Sequence, residues 1–169
     1  MSLDFALFQL INNLVNQNSI ADFFFIWITH LGFIAIFVLV LLSKKKKPIM
    51  NSVFAAVIGK AIEESIKLVP YFYRARPFVE HKVNLLVTGY QTSSFPSGHT
   101  IVAFALALPL FYYNKKLGII ATIIAVFVGL SRVFVGVHYP SDVLGGFLVA
   151  VLSVVVAHYF TKHIVFRYV

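Results

Sequence analysis

The chain has 169 residues, of which 60% are apolar, 16% aromatic and only 12% charged, with a mean hydropathy of +0.89. Ordinary soluble domains are about half apolar and about a quarter charged, so this composition excludes a soluble domain and indicates a polytopic membrane protein. A net charge of +8 and a pI near 9.8 would suit a nucleic-acid binder, but the basic residues fall between apolar segments rather than along one polar face, which argues against nucleic acid and for membrane topology.

In chain order, residues 3–18 (LDFALFQLINNLVNQN) place Leu3, Leu7, Leu10 and Leu14 at helical spacing, with Gln9, Asn12, Asn13 and Asn16 elsewhere. The pattern predicts an amphipathic helix at the membrane interface within 1–18. The opening MSLDFALFQL lacks the basic stretch of a cleaved signal peptide, so no removal is expected. Five spans are predicted, at 21–42, 49–71, 99–113, 118–134 and 143–160, each an apolar run suited to crossing a bilayer. No repeat or linker divides the chain. The expected architecture is therefore all-α, a transmembrane bundle over 21–160 forming one domain, 1–169, with the interfacial helix. Without cysteine, disulfides and thiolate metal sites are ruled out.

Lysine and arginine favour the cytoplasmic side of short loops. Lys44, Lys45, Lys46 and Lys47 form one block, Lys115 and Lys116 a second, and Lys162 and Arg167 lie in the tail. Five spans put all three on one side, the cytoplasmic one. The opposite side receives the N-terminus, the segment 72–98 and the turn 135–142. These segments and the span ends beside them carry Arg74, Arg76, Glu80, His81 and Lys82, then Ser97 and His99, then Arg132, His138 and Asp142. Basic residues on the side that the rule disfavours call for an anion.

SSFPSGHT at 93–100 is a turn that leads into a span. With Ser97 as N-cap, the free N–H groups around Gly98 face outward at the positive helix end, where phosphate binds. Ser97 can donate its hydroxyl, and His99 can protonate a departing oxygen. A helix cap beside an interfacial histidine is the plainer alternative. SRVFVGVHYPSD at 131–142 sets Arg132 six residues before His138 and Asp142 four after it. A carboxylate on one ring nitrogen of His138 fixes its tautomer and leaves the other free to attack phosphorus. Arg132 can neutralise phosphoryl oxygens. A His–Asp pair that merely braces a turn explains neither the arginine nor the first histidine.

RPF, PSGHT and SRVFVGVHYPSD, in this order from Arg76 to Asp142, resemble the three signature motifs of the type 2 phosphatidic acid phosphatase superfamily. The resemblance implies a helical, metal-independent phosphatase without a cofactor. It makes His138 the nucleophile, Asp142 its orienting partner and His99 the acid, with Arg76, Ser97, Gly98 and Arg132 as phosphate ligands. The family's first motif has a lysine seven residues before the arginine of RP, where this chain has Val69. Lys67, if the helix bends at Pro70, and Arg74 are the candidates for that charge. Chain length, the RARPFVEH segment and the compact outer loop resemble most the bacitracin-resistance type of undecaprenyl-diphosphatase. That type implies hydrolysis of undecaprenyl diphosphate in cell-wall lipid-carrier recycling, on the extracytoplasmic face of the cell membrane. A phosphatidylglycerophosphate or phosphatidic acid phosphatase shares the motifs, and an anion transporter or channel is the competing class.

Lys60, Glu63, Glu64 and Lys67 fall on one stripe of the second span, with pairs 60–64 and 63–67 at i, i+4. They suit either a structural ion network or a grip on substrate. His99, His138, Asp142, Glu80 and His81 would make a two-His carboxylate metal site, but two arginines in the same pocket would repel a dication. His30, His158 and His163 read as span or interfacial residues.

Overall fold

The computed structural model describes residues 2–88 and 92–162, so the expectations placed on His163 and Arg167 lie outside the described residues. The described residues form seven α-helices: α1 (Leu3–Asn12), α2 (Ser19–Leu42), α3 (Lys46–Lys67), α4 (Pro77–Glu80), α5 (Gly98–Ala107), α6 (Lys115–Phe134) and α7 (Pro140–Phe160). The all-α expectation holds. Side-chain caps start three of these helices. Ser2 accepts from Phe5 N, Asn18 from Ile20 N and Ala21 N, and Asn114 from Leu117 N.

Of the five expected spans, α2, α6 and α7 are long and apolar enough to cross a membrane. Their outer faces carry exposed residues such as Phe23, Trp27, Ile123, Phe127, Leu148 and Leu152, an apolar surface that belongs in lipid. The chain is a membrane protein. α3 is long enough but too charged, and it stops at Lys67 rather than 71. Pro70 opens a separate 3-10 turn, Pro70–Phe72, since it has no N–H to continue the ladder. The third segment is ten residues of α-helix followed by five of 3-10 helix, Leu108–Tyr112, with Pro109 at the junction.

α5 sits centrally against α2, α3, α6 and α7, while α2 and α3 scarcely touch each other. The core between them is rich in small side chains, with Ala55, Ala103, Ala105, Ala121, Ala125, Ala150 and Ala157 all buried, which lets backbones approach closely. A Cβ on Gly32 would lie 2.4 Å from Val128 Cγ2.

The two ends of the bundle are tied differently. At one end Asn51 Nδ2 donates to the Tyr113 hydroxyl at 2.6 Å, and the Thr161 hydroxyl donates to Asn51 Oδ1. These bonds join the start of α3 to the ends of the third and last segments, beside exposed Lys44, Lys45, Lys46, Lys47, Lys115 and Lys116. The three basic blocks expected on one side do share one end, as far as they are described. At the other end α1 docks by its polar groups. Asn12 Nδ2 donates to Asn84 O and to Phe134 O, both at 2.8 Å, and Phe8 is buried. Leu3, Leu7, Leu10 and Leu14 stay exposed on its far face.

Candidate active site

At the α1 end, the last turn of α3, the strand-like stretch into α4, the 92–97 segment before α5 and the turn between α6 and α7 converge. Ser97 N donates to Asp142 O at 3.1 Å, and Ser94 N donates to Arg74 O at 2.8 Å. A Cβ on Gly146 would lie 2.7 Å from Ser97 O, so glycine lets α7 reach the start of α5. The Phe95–Pro96 peptide is cis.

His138 lies in the turn after α6, almost wholly buried. Its Nε2 is 3.2 Å from Arg76 Nη1, and its Nδ1 is 3.6 Å from Asp142 Oδ2. A guanidinium only donates, so Nε2 is the acceptor and the ring proton sits on Nδ1, towards the carboxylate. Burial, with the charges of Arg132 and Arg76, pushes the imidazole pKa down to about 4 against the pull of Asp142. The ring is therefore neutral at pH 7.

Arg76 is held by its surroundings. It donates from Nε to Thr92 O (2.9 Å), from Nη1 to Val137 O (3.0 Å) and from Nη2 to Ser93 O (3.3 Å). Arg132, in the last turn of α6, is fully buried and donates to Thr29 Oγ1 at 3.2 Å. Ser97 occupies the N-cap position of α5, but its hydroxyl accepts from Thr100 Oγ1 at 2.9 Å instead of capping the backbone, contrary to the cap expected. His99 is half-buried, with its ring edge-on to Phe33.

A cavity of about 430 Å³ opens here, lined by Arg76, Thr92, Gly98, His99 and His138 on one side and by Lys60, Glu63, Glu64 and Lys67 on the other, with Phe33 and Val102 between. The structure thus brings His99, His138, Arg76, Gly98 and Lys67 to one cavity. Ser97 and Arg132 lie outside its lining. The change of direction on which Lys67 depended is present, since α3 ends at Lys67 and Pro70 opens a separate 3-10 turn. Arg74 is directed elsewhere, to Asp4, Ser141 and Asp142, and lines no part of the cavity.

The stripe on α3 faces this cavity. Glu63 is buried, accepts Lys60 Nζ on Oε2 at 2.6 Å and accepts Lys67 Nζ on Oε1, while Lys60 also reaches Glu64 at 3.3 Å. Its carboxylate rests against Gly98, where an added Cβ would lie 2.4 Å from Oε1 and 2.5 Å from Oε2. The missing side chain at 98 thus makes room for an anion of the protein itself. Among the described residues no three His, Cys, Asp or Glu side chains are grouped to hold a metal. Glu80 accepts from the Tyr139 hydroxyl at 3.1 Å, and His81 stacks on Phe5.

Sequence reasoning missed Asp4, Ser141 and Phe33. An acidic residue in a first helical turn looks complete as a partner of the helix dipole, so Asp4 carried no further signal.

The PAP2 superfamily model matches residues 48–165, and the chain belongs to that superfamily. It is 32% identical over 157 residues to undecaprenyl-diphosphatase BcrC of Bacillus subtilis, covering 89% of this chain and 80% of that protein. The crystal structure of Aquifex aeolicus LpxE superposes with a TM-score of 0.80 at 29% identity, covering 94% of this chain and 96% of that one. A transmembrane PAP2 type phosphatidylglycerolphosphate phosphatase from Bacillus subtilis gives a TM-score of 0.71 at 27% identity, over 95% and 85% of the two chains. α1 and α2 precede the matched stretch.

Proposed function

We propose that residues 1–169 act as one lipid phosphatase domain that hydrolyses a lipid-linked diphosphate, undecaprenyl diphosphate, to the monophosphate and inorganic phosphate. The observation that carries this is the His138 ring. It is neutral, its proton lies on the Asp142 side, and its Nε2 lone pair points to Arg76 at the cavity wall. In the first step Nε2 attacks the terminal phosphorus. The bond from phosphorus to the bridging oxygen breaks, and His99, protonated once the anionic phosphate lies beside it, gives its proton to that oxygen. In the second step water attacks the phosphohistidine, His99 takes the water's proton, and phosphate leaves. Arg76, Lys67 and the N–H groups at Gly98 bear the phosphoryl charge, with Arg132 and Ser97 behind them. No metal is required by these steps.

An apolar groove of about 280 Å³ between α2, α3 and α5 supports a lipid substrate. It is lined by Phe33, Ile34, Phe37, Val53, Val57 and Leu106 among others, and shares Phe33 and Val102 with the cavity. The similarity to a phosphatidylglycerolphosphate phosphatase favours a second reading, a glycerophospholipid phosphate in the same site. Phosphate release by purified protein in EDTA, compared between undecaprenyl diphosphate and phosphatidylglycerophosphate, tests both. Preference for the diphosphate is expected, and activity that vanishes with EDTA would overturn the metal-free steps.

The chain crosses the membrane several times, with the site on the extracytoplasmic face. The exposed lysines at the opposite end support this. In intact cells a cysteine placed at exposed Lys82 should react with a membrane-impermeant maleimide, and one at Lys116 only after lysis. The reverse pattern would invert the protein.

A further inference from the structure

Asp142 does not face His138 alone. Its Oδ2 also accepts Tyr139 N at 2.8 Å, and its Oδ1 accepts Arg74 Nη1 at 2.9 Å. Arg74 in turn spans a second carboxylate, donating from Nη2 to Asp4 Oδ2 at 2.6 Å. Ser141, the neighbour of Asp142, binds Asp4 through both its backbone N (3.0 Å) and its hydroxyl (2.6 Å). We propose that Asp4 on α1 is a positioning residue for the reaction, fixing the Asp142 carboxylate against His138 through Arg74 and Ser141. This inference rests on the phosphohistidine reading above.

The support is geometric. Arg74 cannot tilt freely, because its guanidinium lies 3.8 Å over the Tyr139 ring and its backbone N donates to Ser93 Oγ at 3.1 Å. Asp4 is held by its own bonds to Arg74 and Ser141, separate from those by which Asn12 ties the far end of α1 to Asn84 and Phe134. Burial of Asp4 works against ionisation, but hydrogen bonds from Ser141 and Arg74 outweigh it and hold the carboxyl below its usual range. Arg74 therefore shares one positive charge between two carboxylates. Without the charge on Asp4, that charge acts undivided on Asp142 and draws it from His138, weakening the support of the Nδ1 proton on which nucleophilic attack at Nε2 depends. Neither Asp4, Arg74 nor Ser141 lines the cavity, so substrate binding is untouched. The positioning comes from a helix outside the family-matched stretch, which begins at residue 48.

Steady-state kinetics on the 169-residue chain test it. Asp4→Asn should lower kcat about tenfold, as for other residues that orient a site ligand from behind, with KM within about twofold. Asp4→Glu should recover part of that loss. The double variant D4N/D142N should lose no more than D142N alone. A merely structural strap is separated by Asn12→Ala, which loosens α1 at its far end and is expected to lower Tm while keeping kcat. Equal kcat losses in D4N and N12A, or additive losses in D4N/D142N, would overturn the positioning role. An active parent with an unaffected D4N would defeat this inference alone, whereas an inactive parent would defeat the reading it rests on and this inference with it.

Discussion

The two ends of the bundle solve the same packing problem with different chemistry. At the end holding Asn51, Tyr113 and Thr161, helices are joined by neutral hydrogen bonds and the lysines stay outside. At the other end Glu63, Arg76, Arg132 and Asp142 are all buried. Removing a charge from water costs several kcal/mol even when it is paired, and a neutral network avoids that cost. The asymmetry teaches that charge is buried here for a task other than joining helices.

The largest expected effect tests that division directly. His138→Ala should reduce turnover by at least on the order of 10³-fold, because no other group supplies the attacking lone pair, while Thr161→Val at the neutral end leaves kcat unchanged. Vanadate binding by H138A should persist. Near-normal turnover of H138A would remove the phosphohistidine.

Acid should reach the charged end first. With the His138 pKa at about 4, the acid limb of kcat/KM should lie near pH 4, with a drop of roughly tenfold per unit below it. The sign for stability is the same. A depressed histidine contributes fully above the unfolded value near 6.5, and that contribution is lost as pH falls towards about 4. An acid limb near 6.5 would place His138 in solvent-like surroundings.

A pair of glycines sharpens the comparison further. Gly98→Ala drives a methyl into the Glu63 carboxylate and should cost about 10²-fold in kcat/KM through displacement at the cavity wall. At the neutral end Gly118→Ala meets Phe111 N at 2.9 Å and Cα at 3.0 Å. It should cost about 1–3 kcal/mol of stability with kcat retained. The smallest effect is expected from Asn51→Ala, about 1–2 kcal/mol in thermal unfolding and none in turnover.

The helices and the motif residues were legible because apolar run length and turn chemistry are local signals. The segments around His99 and His138 could be placed from Pro, Gly and Ser positions alone. Lys67 was legible as a charge, but not its reach. Its place was made conditional on a bend at Pro70, and the α-helix does give way to a 3-10 turn there, with Lys67 and Arg76 lining one cavity. Arg74 was not legible in this way, since its partner Asp4 lies 70 residues away, and nothing periodic links the two. Arg132 was legible as a charge, and only the fold shows that it is fully buried with one nitrogen on Thr29. Long-range side-chain pairing leaves no trace in a single sequence.

The seat of α1 bears on biosynthesis. Asp4 meets Ser141 across 137 positions of chain, and Asn12 meets Phe134 across 122. Closing such loops carries an entropic cost that is recovered only when both partners exist. α1 is made before the turn ahead of α7 and is thus seated only once that turn exists. A chain interrupted before that turn holds Asp4 and Asn12 without the groups that receive them, so this end of the bundle is completed by a later-made segment and not by α1 itself.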